Sequence, residues 1–164
     1  MPTTRGSKLS PAIHVAHAVL AGVWLGGVIF TMAVVSPALK ALKWSEPERV
    51  VVRSKIGKQY ARVGTTNLVL LALFALLDGL IAGFGASLYA EYVLLAVLIG
   101  LVATHGAYFG RMLKKLAEDE RAAGSGEEAR TLAGRRRELQ KISLRISWMG
   151  LLGSLGVAVL AVGF

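Results

Sequence analysis

Residues 11–36 read PAIHVAHAVLAGVWLGGVIFTMAVVS. No Asp, Glu, Lys or Arg interrupts them, yet His14 and His17 stand near their start. Crossing a hydrocarbon core of ~30 Å takes about 20 apolar residues in helical form. Three later runs, 63–86, 91–108 and 142–164, are comparably apolar and nearly free of charge. Together the four fill over half of the 164-residue chain, which is 54% hydrophobic. A soluble helical protein would have too little polar surface left to solvate them. The sequence therefore predicts one all-α integral membrane domain over residues 1–164, a four-transmembrane-helix bundle with spans of about 11–36, 63–86, 91–111 and 142–164.

The net charge of +9 would suggest nucleic acid in a soluble protein. Its placement points elsewhere. Of 19 Lys and Arg, 17 lie between Lys40 and Arg62 or between Arg111 and Arg145. Basic loops stay in the cytoplasm. Both long loops are thus expected inside, both termini outside (N-out/C-out), in a multi-pass plasma (inner) membrane protein. The expected partners are the bilayer, with anionic lipid at the basic loops; no nucleic acid is expected. Arg5 and Lys8 before an apolar run resemble a signal peptide, but the run exceeds a signal core of ~7–15 residues, so it reads as a retained first span. The chain has no cysteine, which excludes disulfides and thiolate chemistry.

Local signals place the connections. Met1–Ser10 reads as a polar tail, Pro11 as a helix start and Pro37 as the end of span one. Ser45 and Glu48 form a capping-box pattern. It opens an amphipathic cytoplasmic helix to about Arg62, with Val51, Val52, Ile56, Gln59 and Tyr60 on one side, expected to lie along the membrane surface before turning into span two. Tyr89 and Tyr92 are expected at the outer interface. Span three should continue as a charged helix to about Ala122, break at Ala123-Gly124-Ser125-Gly126, and return through residues 127–141 into span four. That makes a long cytoplasmic helical hairpin reaching ~22 Å beyond the membrane.

Ionisable side chains at membrane depth are costly and mark functional sites by default. At 100° per residue, His14, His17, Trp24 and Val28 share one face of span one. Gly22-x-x-x-Gly26 lies roughly opposite, with Gly79/Gly83 and Gly106/Gly110 in spans two and three; such pairs allow close packing, in the bundle or in a homo-oligomer. Span two carries a stripe of Asn67, Leu71, Phe74 and Asp78; span three aligns Glu91, His105, Tyr108 and Met112. Depth brings His17 and Asp78 together in the outer leaflet, where a hydrogen bond would fix the imidazole tautomer. His105 is expected near Asn67, Tyr108 and Arg145, ~12–15 Å from His17 along the membrane normal. His14-x-x-His17 with Asp78 is a candidate set for a divalent metal. The sequence contains no HExxH, P-loop or strand-borne GxGxxG.

The stretch from His14-Val15-Ala16-His17-Ala18 through Trp24-Leu25-Gly26-Gly27-Val28-Ile29-Phe30 to Pro37 resembles the first helix of the CopD-like superfamily, which includes copper-resistance D membrane domains and HemJ-type protoporphyrinogen oxidases. The resemblance covers about 25 residues. It implies a helical bundle that holds haem b or handles a redox cofactor, with a first-helix histidine as ligand: His17, with His14 beside it. The HemJ-type members use an intramembrane lysine, which these spans lack, and a copper path would favour soft ligands, of which only Met32 lies deep in the first three spans. The chain accordingly falls on a branch without an assigned activity.

Three functions are open from sequence. One is a haem- or metal-binding redox protein using His17, His14, Trp24, Asp78 and His105. Another is a small proton-coupled transporter or channel with a path through Asn67, Asp78, His105 and Tyr108. The third is a structural or assembly partner without chemistry. Whether the chain is an enzyme is open at this point.

Overall fold

The computed structural model describes residues 5–163. Residues 1–4 of the expected polar tail lie outside them. The described chain is helical nearly throughout: α1 Arg5–Phe30, a π-turn Thr31–Val35, α2 Ser36–Ala41, α3 Glu46–Ala82, α4 Ala86–Thr104, a second π-turn His105–Phe109, α5 Gly110–Ala123 and α6 Glu127–Val162. Runs beginning near residues 11, 48, 86 and 127 are each long and apolar enough to cross a membrane. Their outward surface is made of residues such as Val19, Val23, Leu73, Leu80, Val93, Val97, Leu152 and Val159, all exposed. An apolar exterior of this extent needs lipid around it. The chain is a multi-pass membrane protein.

Helix α1 packs on α3 and α6, and α4 on the same two, so α1 and α4 stand diagonally opposed. The core between them is Ala21, Trp24, Leu68, Leu71, Ala75, Leu95, Leu98, Val157 and Ala161. Two polar clasps tie α1 into it. Trp24 Nε1–H donates to Ser154 Oγ at 2.9 Å, and Asn67 Nδ2–H donates to the Leu20 carbonyl at 3.0 Å. Each buried donor needs such a partner in a medium without water.

At one end, here the turn end, α3 and α4 are joined by residues 83–85. Gly83 sits at φ +97°, a conformation that a residue with a Cβ rarely adopts. Phe84 packs against Tyr89 and Tyr92 there. At the opposite, hairpin end, α5 and α6 turn back at Gly124 and Gly126, both at positive φ, as the break at residues 123–126 predicts.

Three expectations change. First, neither Pro11 nor Pro37 bounds a helix: α1 begins at Arg5, and the chain stays helical past Pro37 to Ala41. A proline lacks the N–H for its turn and crowds the preceding carbonyls. The π-turn before Pro37 absorbs this by widening the ladder, with Ser36 N–H donating to the Thr31 carbonyl.

Second, the amphipathic segment does not end at Arg62 and turn into span two. Glu46–Ala82 is one helix of 37 residues, and its first half packs on the hairpin. Its inward residue is Val50, buried with Ala117 of α5, whereas Ile56 is exposed. Arg136 of α6 locks the junction: Nε–H donates to Glu120 Oε2 at 2.6 Å, and Nη1 lies 3.5 Å from Glu46 Oε2. The capping box is formed as read, with Ser45 accepting from Glu48 N–H and donating its own N–H to the Glu48 carboxylate.

Third, the glycine pairs divide. A Cβ on Gly22, Gly26 or Gly106 would meet nothing within 4 Å, whereas one on Gly27 would strike the Tyr60 ring and one on Gly79 would strike Leu88 and Phe84. Close approach is therefore needed at Gly27 and Gly79 inside the bundle. Gly27→Leu is expected to cost about 1–3 kcal/mol through overpacking, whereas Gly22→Leu places a better helix former in open space and is expected to cost nothing in the isolated chain. Thermal melting of both variants in detergent checks the order.

Candidate functional site

Of the ten acidic residues, only Asp78 and Glu91 lie outside the hairpin end. Both are buried, and both face histidine. Glu91 sits five residues into α4, and Asp78 four residues before the end of α3. His14 and His17 are one turn apart on α1, so their rings point to the same side. The three helices bring these four groups into the bundle just below the turn end.

The contacts form a string. With Glu91 ionised, His17 Nε2–H donates to Glu91 Oε1 at 2.7 Å. His17 Nδ1 faces Asp78 Oδ2 at 3.6 Å, within ion-pairing range but beyond a hydrogen bond. His14 Nδ1–H donates to the same Asp78 oxygen at 3.1 Å. His17 and Glu91 are 0% exposed, whereas the His14 side chain is 29% exposed. The string thus runs from a partly open imidazole to a sealed carboxylate. Glu91 Oε2, His17 Nδ1 and the Tyr92 hydroxyl are buried without a hydrogen-bond partner.

Charge balance constrains this cluster. Two carboxylates and two imidazoles balance when both rings carry an extra proton. Removing one leaves a net negative charge among apolar walls, where an uncompensated ion costs several kcal/mol.

His14, His17 and Asp78 come together as expected from sequence, but the pairing differs. His14, not His17, makes the hydrogen bond to Asp78, and the main partner of His17 is Glu91. Glu91 is the candidate residue that sequence reasoning does not single out, although it lies on the stripe of span three. Its signal was present: an acid inside the apolar register of a span is expensive.

The other candidates fall away from the cluster. Trp24 is a packing residue bonded to Ser154. Asn67 holds the backbone of α1. Tyr108 is 52% exposed and faces away from the core. His105 lies fourteen residues beyond Glu91 along the α4 line, ~21 Å at 1.5 Å per residue, farther from the cluster than expected. It opens the second π-turn and stacks on Phe109 at 6.0 Å.

These positions decide the fit of a metal or haem. Among the described residues no three His, Asp or Glu side chains are grouped to hold a metal ion. His14 and His17 both turn Nδ1 to the same Asp78 oxygen, and His17 turns its other nitrogen to Glu91. For haem b, axial ligation through Nε2 of His17 would displace Glu91 and leave its carboxylate buried and bare. Trp24 cannot wall a cofactor from its place in the core, and His105 is too far away to help. As arranged here, both nitrogens of His17 and Nδ1 of His14 are turned to carboxylates.

The family described as Domain of unknown function (DUF4149) matches residues 19–122. That stretch includes Asp78 and Glu91 and begins just after His17. Comparison with curated proteins and with solved structures yields no match.

Proposed function

The chain belongs to the DUF4149 family, and from its geometry we propose that it is a small proton-coupled membrane transporter, loaded with protons through the string His14–Asp78–His17–Glu91. One observation carries this reading: a fully buried imidazole between two buried carboxylates, with one further imidazole opening the string to its surroundings. Intramembrane His, Asp and Glu chains of this kind serve as proton relays.

The chemistry follows from the two ring nitrogens. His14 takes up a proton at its exposed edge and passes it to Asp78. Asp78 delivers it to His17 Nδ1 once the 3.6 Å gap closes, while Nε2 yields its own proton to Glu91. The ring ends in the opposite tautomer and must reset before a second transfer. Below the string, Trp24, Leu71, Leu95 and Leu98 form a closed apolar layer. That layer favours a transporter, which opens its two sides in turn, over an open channel. The concentration of Lys and Arg at the hairpin end supports a cytoplasmic hairpin and an outward-facing string.

Proteoliposomes with an entrapped pH-sensitive dye test the reading, under an imposed proton gradient and clamped voltage. Wild-type protein is expected to carry protons above empty vesicles, and Asp78→Asn and Glu91→Gln to cut that flux at least about tenfold, a floor below the roughly 10²–10⁴-fold contribution usual for a proton-transfer group. Flux that is equal in all three proteins, or no higher than in empty vesicles, overturns it.

A further inference from the structure

Two features recur at the same spacing in the two halves of the chain. His17 on α1 and Glu91 on α4 are 74 residues apart and touch across the bundle diagonal. The π-turns starting at Thr31 and His105 are separated by the same interval, so each opens fourteen residues beyond its contact residue. The returning helices also match. Gly83 ends α3 with its N–H bonded to the Gly79 carbonyl; Gly163 ends α6 with its N–H bonded to the Val159 and Leu160 carbonyls. Residues 5–82 and 86–162 are thus two equivalent helical hairpins, each a descending helix with a π-turn and an ascending helix closed by glycine.

The two hairpins meet at charged contacts placed near opposite ends. Near the turn end it is His17 against Glu91. At the hairpin end it is Arg136 against Glu46, with Glu120 from its own half holding the guanidinium. Only residues 83–85 connect the halves covalently. Between the two contacts lies the apolar layer, and the π-turns interrupt regular α-helix hydrogen bonding in both descending helices. Such interruptions mark bends and functional sites in helices.

We propose that the transport pathway is the seam between these two hairpins, closed by the His17–Glu91 gate near the turn end and by the Arg136–Glu46 gate at the hairpin end, and that the halves rock about the apolar layer between the gates to open one gate at a time. This rests on the transport reading above. Repeats that rock against each other around a central site are a general solution to alternating access. Both gates are shut here, which makes this the occluded arrangement. The groups facing the His17 gate are Glu91 and Tyr92 of α4, Asp78 of α3 and His14 of α1; from α6 the nearby polar group is Ser154, occupied by Trp24. Protonating Glu91 removes its charge from the gate and loosens the turn end.

The cysteine-free chain suits site-directed spin labelling. Val15 and Tyr89 are equivalent positions near the turn end, and Val34 and Tyr108 are equivalent positions at the π-turns; all four are exposed. Distances between labels on the pairs V15C/Y89C and V34C/Y108C are to be read by pulsed electron paramagnetic resonance in lipid nanodiscs. Glu91→Gln, and acidification of the otherwise unmodified pairs, are expected to lengthen the first distance by several Å while the second holds or shortens. Glu46→Gln is expected to lengthen the second without lengthening the first. Distributions unchanged under all three treatments, or both pairs widening together, overturn the seam. If the distances behave as stated but no proteoliposome carries protons, the seam stands and the transport reading fails. If flux depends on Asp78 while the distances stay fixed, the transport reading stands and the seam fails.

Discussion

Glu91→Ala is expected to lower stability by about 3–5 kcal/mol, because it leaves His17 buried without its principal partner. His17 and Glu91 have no exposed surface, so solvent cannot rescue the abandoned ring. For a chain of this size that corresponds to a fall in Tm of roughly 10 °C, at about 2–4 °C per kcal/mol. Glu91→Gln keeps an acceptor at the same place and is expected to lose less than half as much. Thermal unfolding of the two variants in one detergent checks this. An alanine variant within 2 °C of wild type would show that the pair contributes little and that burial of His17 has another cause; the 2 °C margin reflects about 1 kcal/mol.

The second large effect lies at the far end of the molecule. Arg136 is 1% exposed and holds Glu120 through two nitrogens. Arg136→Ala is expected to cost about 3 kcal/mol or more, since it strands a half-buried carboxylate beside the cavity it creates. The double variant Arg136→Met with Glu120→Leu removes both charges and fills the space. It is expected to recover most of that loss, because a buried ion pair contributes little over a packed apolar pair. Melting temperatures of the single and double variants decide it. A double variant as weak as the single would mean that Arg136 acts through Glu46 and the seam more than through Glu120.

Much of this architecture is legible in the chain itself, and the failures have physical reasons. The four spans follow from apolar blocks whose length matches a bilayer. The capping box at Ser45 and the break at Gly124–Gly126 follow from local backbone chemistry and need no tertiary information. Asp78 and the two histidines were found because charge inside a span is conspicuous. Glu91 was passed over because it opens an apolar run and so reads as a headgroup-level residue. Helix α4 begins five residues earlier, at Ala86, which draws that carboxylate inside. Pairing was harder still. Helical periodicity gives the face of each helix, but only the diagonal placement of α1 and α4 decides that Glu91 and not Asp78 takes the hydrogen bond of His17. Pro37 misled because a proline usually stops a helix, and a π-turn is a cheaper remedy when lipid forbids exposed backbone. The apparent bend at Arg62 came from a switch in composition. Backbone hydrogen bonds ignore such a switch, so the helix runs unbroken through it.

Helix α3 has a mechanical consequence. Its 37 residues make an unbroken rod of ~55 Å, with Glu46 at one tip and Asp78 near the other. Pivoted at its middle, a tilt of about 5° displaces each tip by ~2.4 Å in opposite senses, enough to bring a carboxylate into or out of hydrogen-bond reach. A lever of this length lets whatever grips its protruding tip throw the bolt at the other.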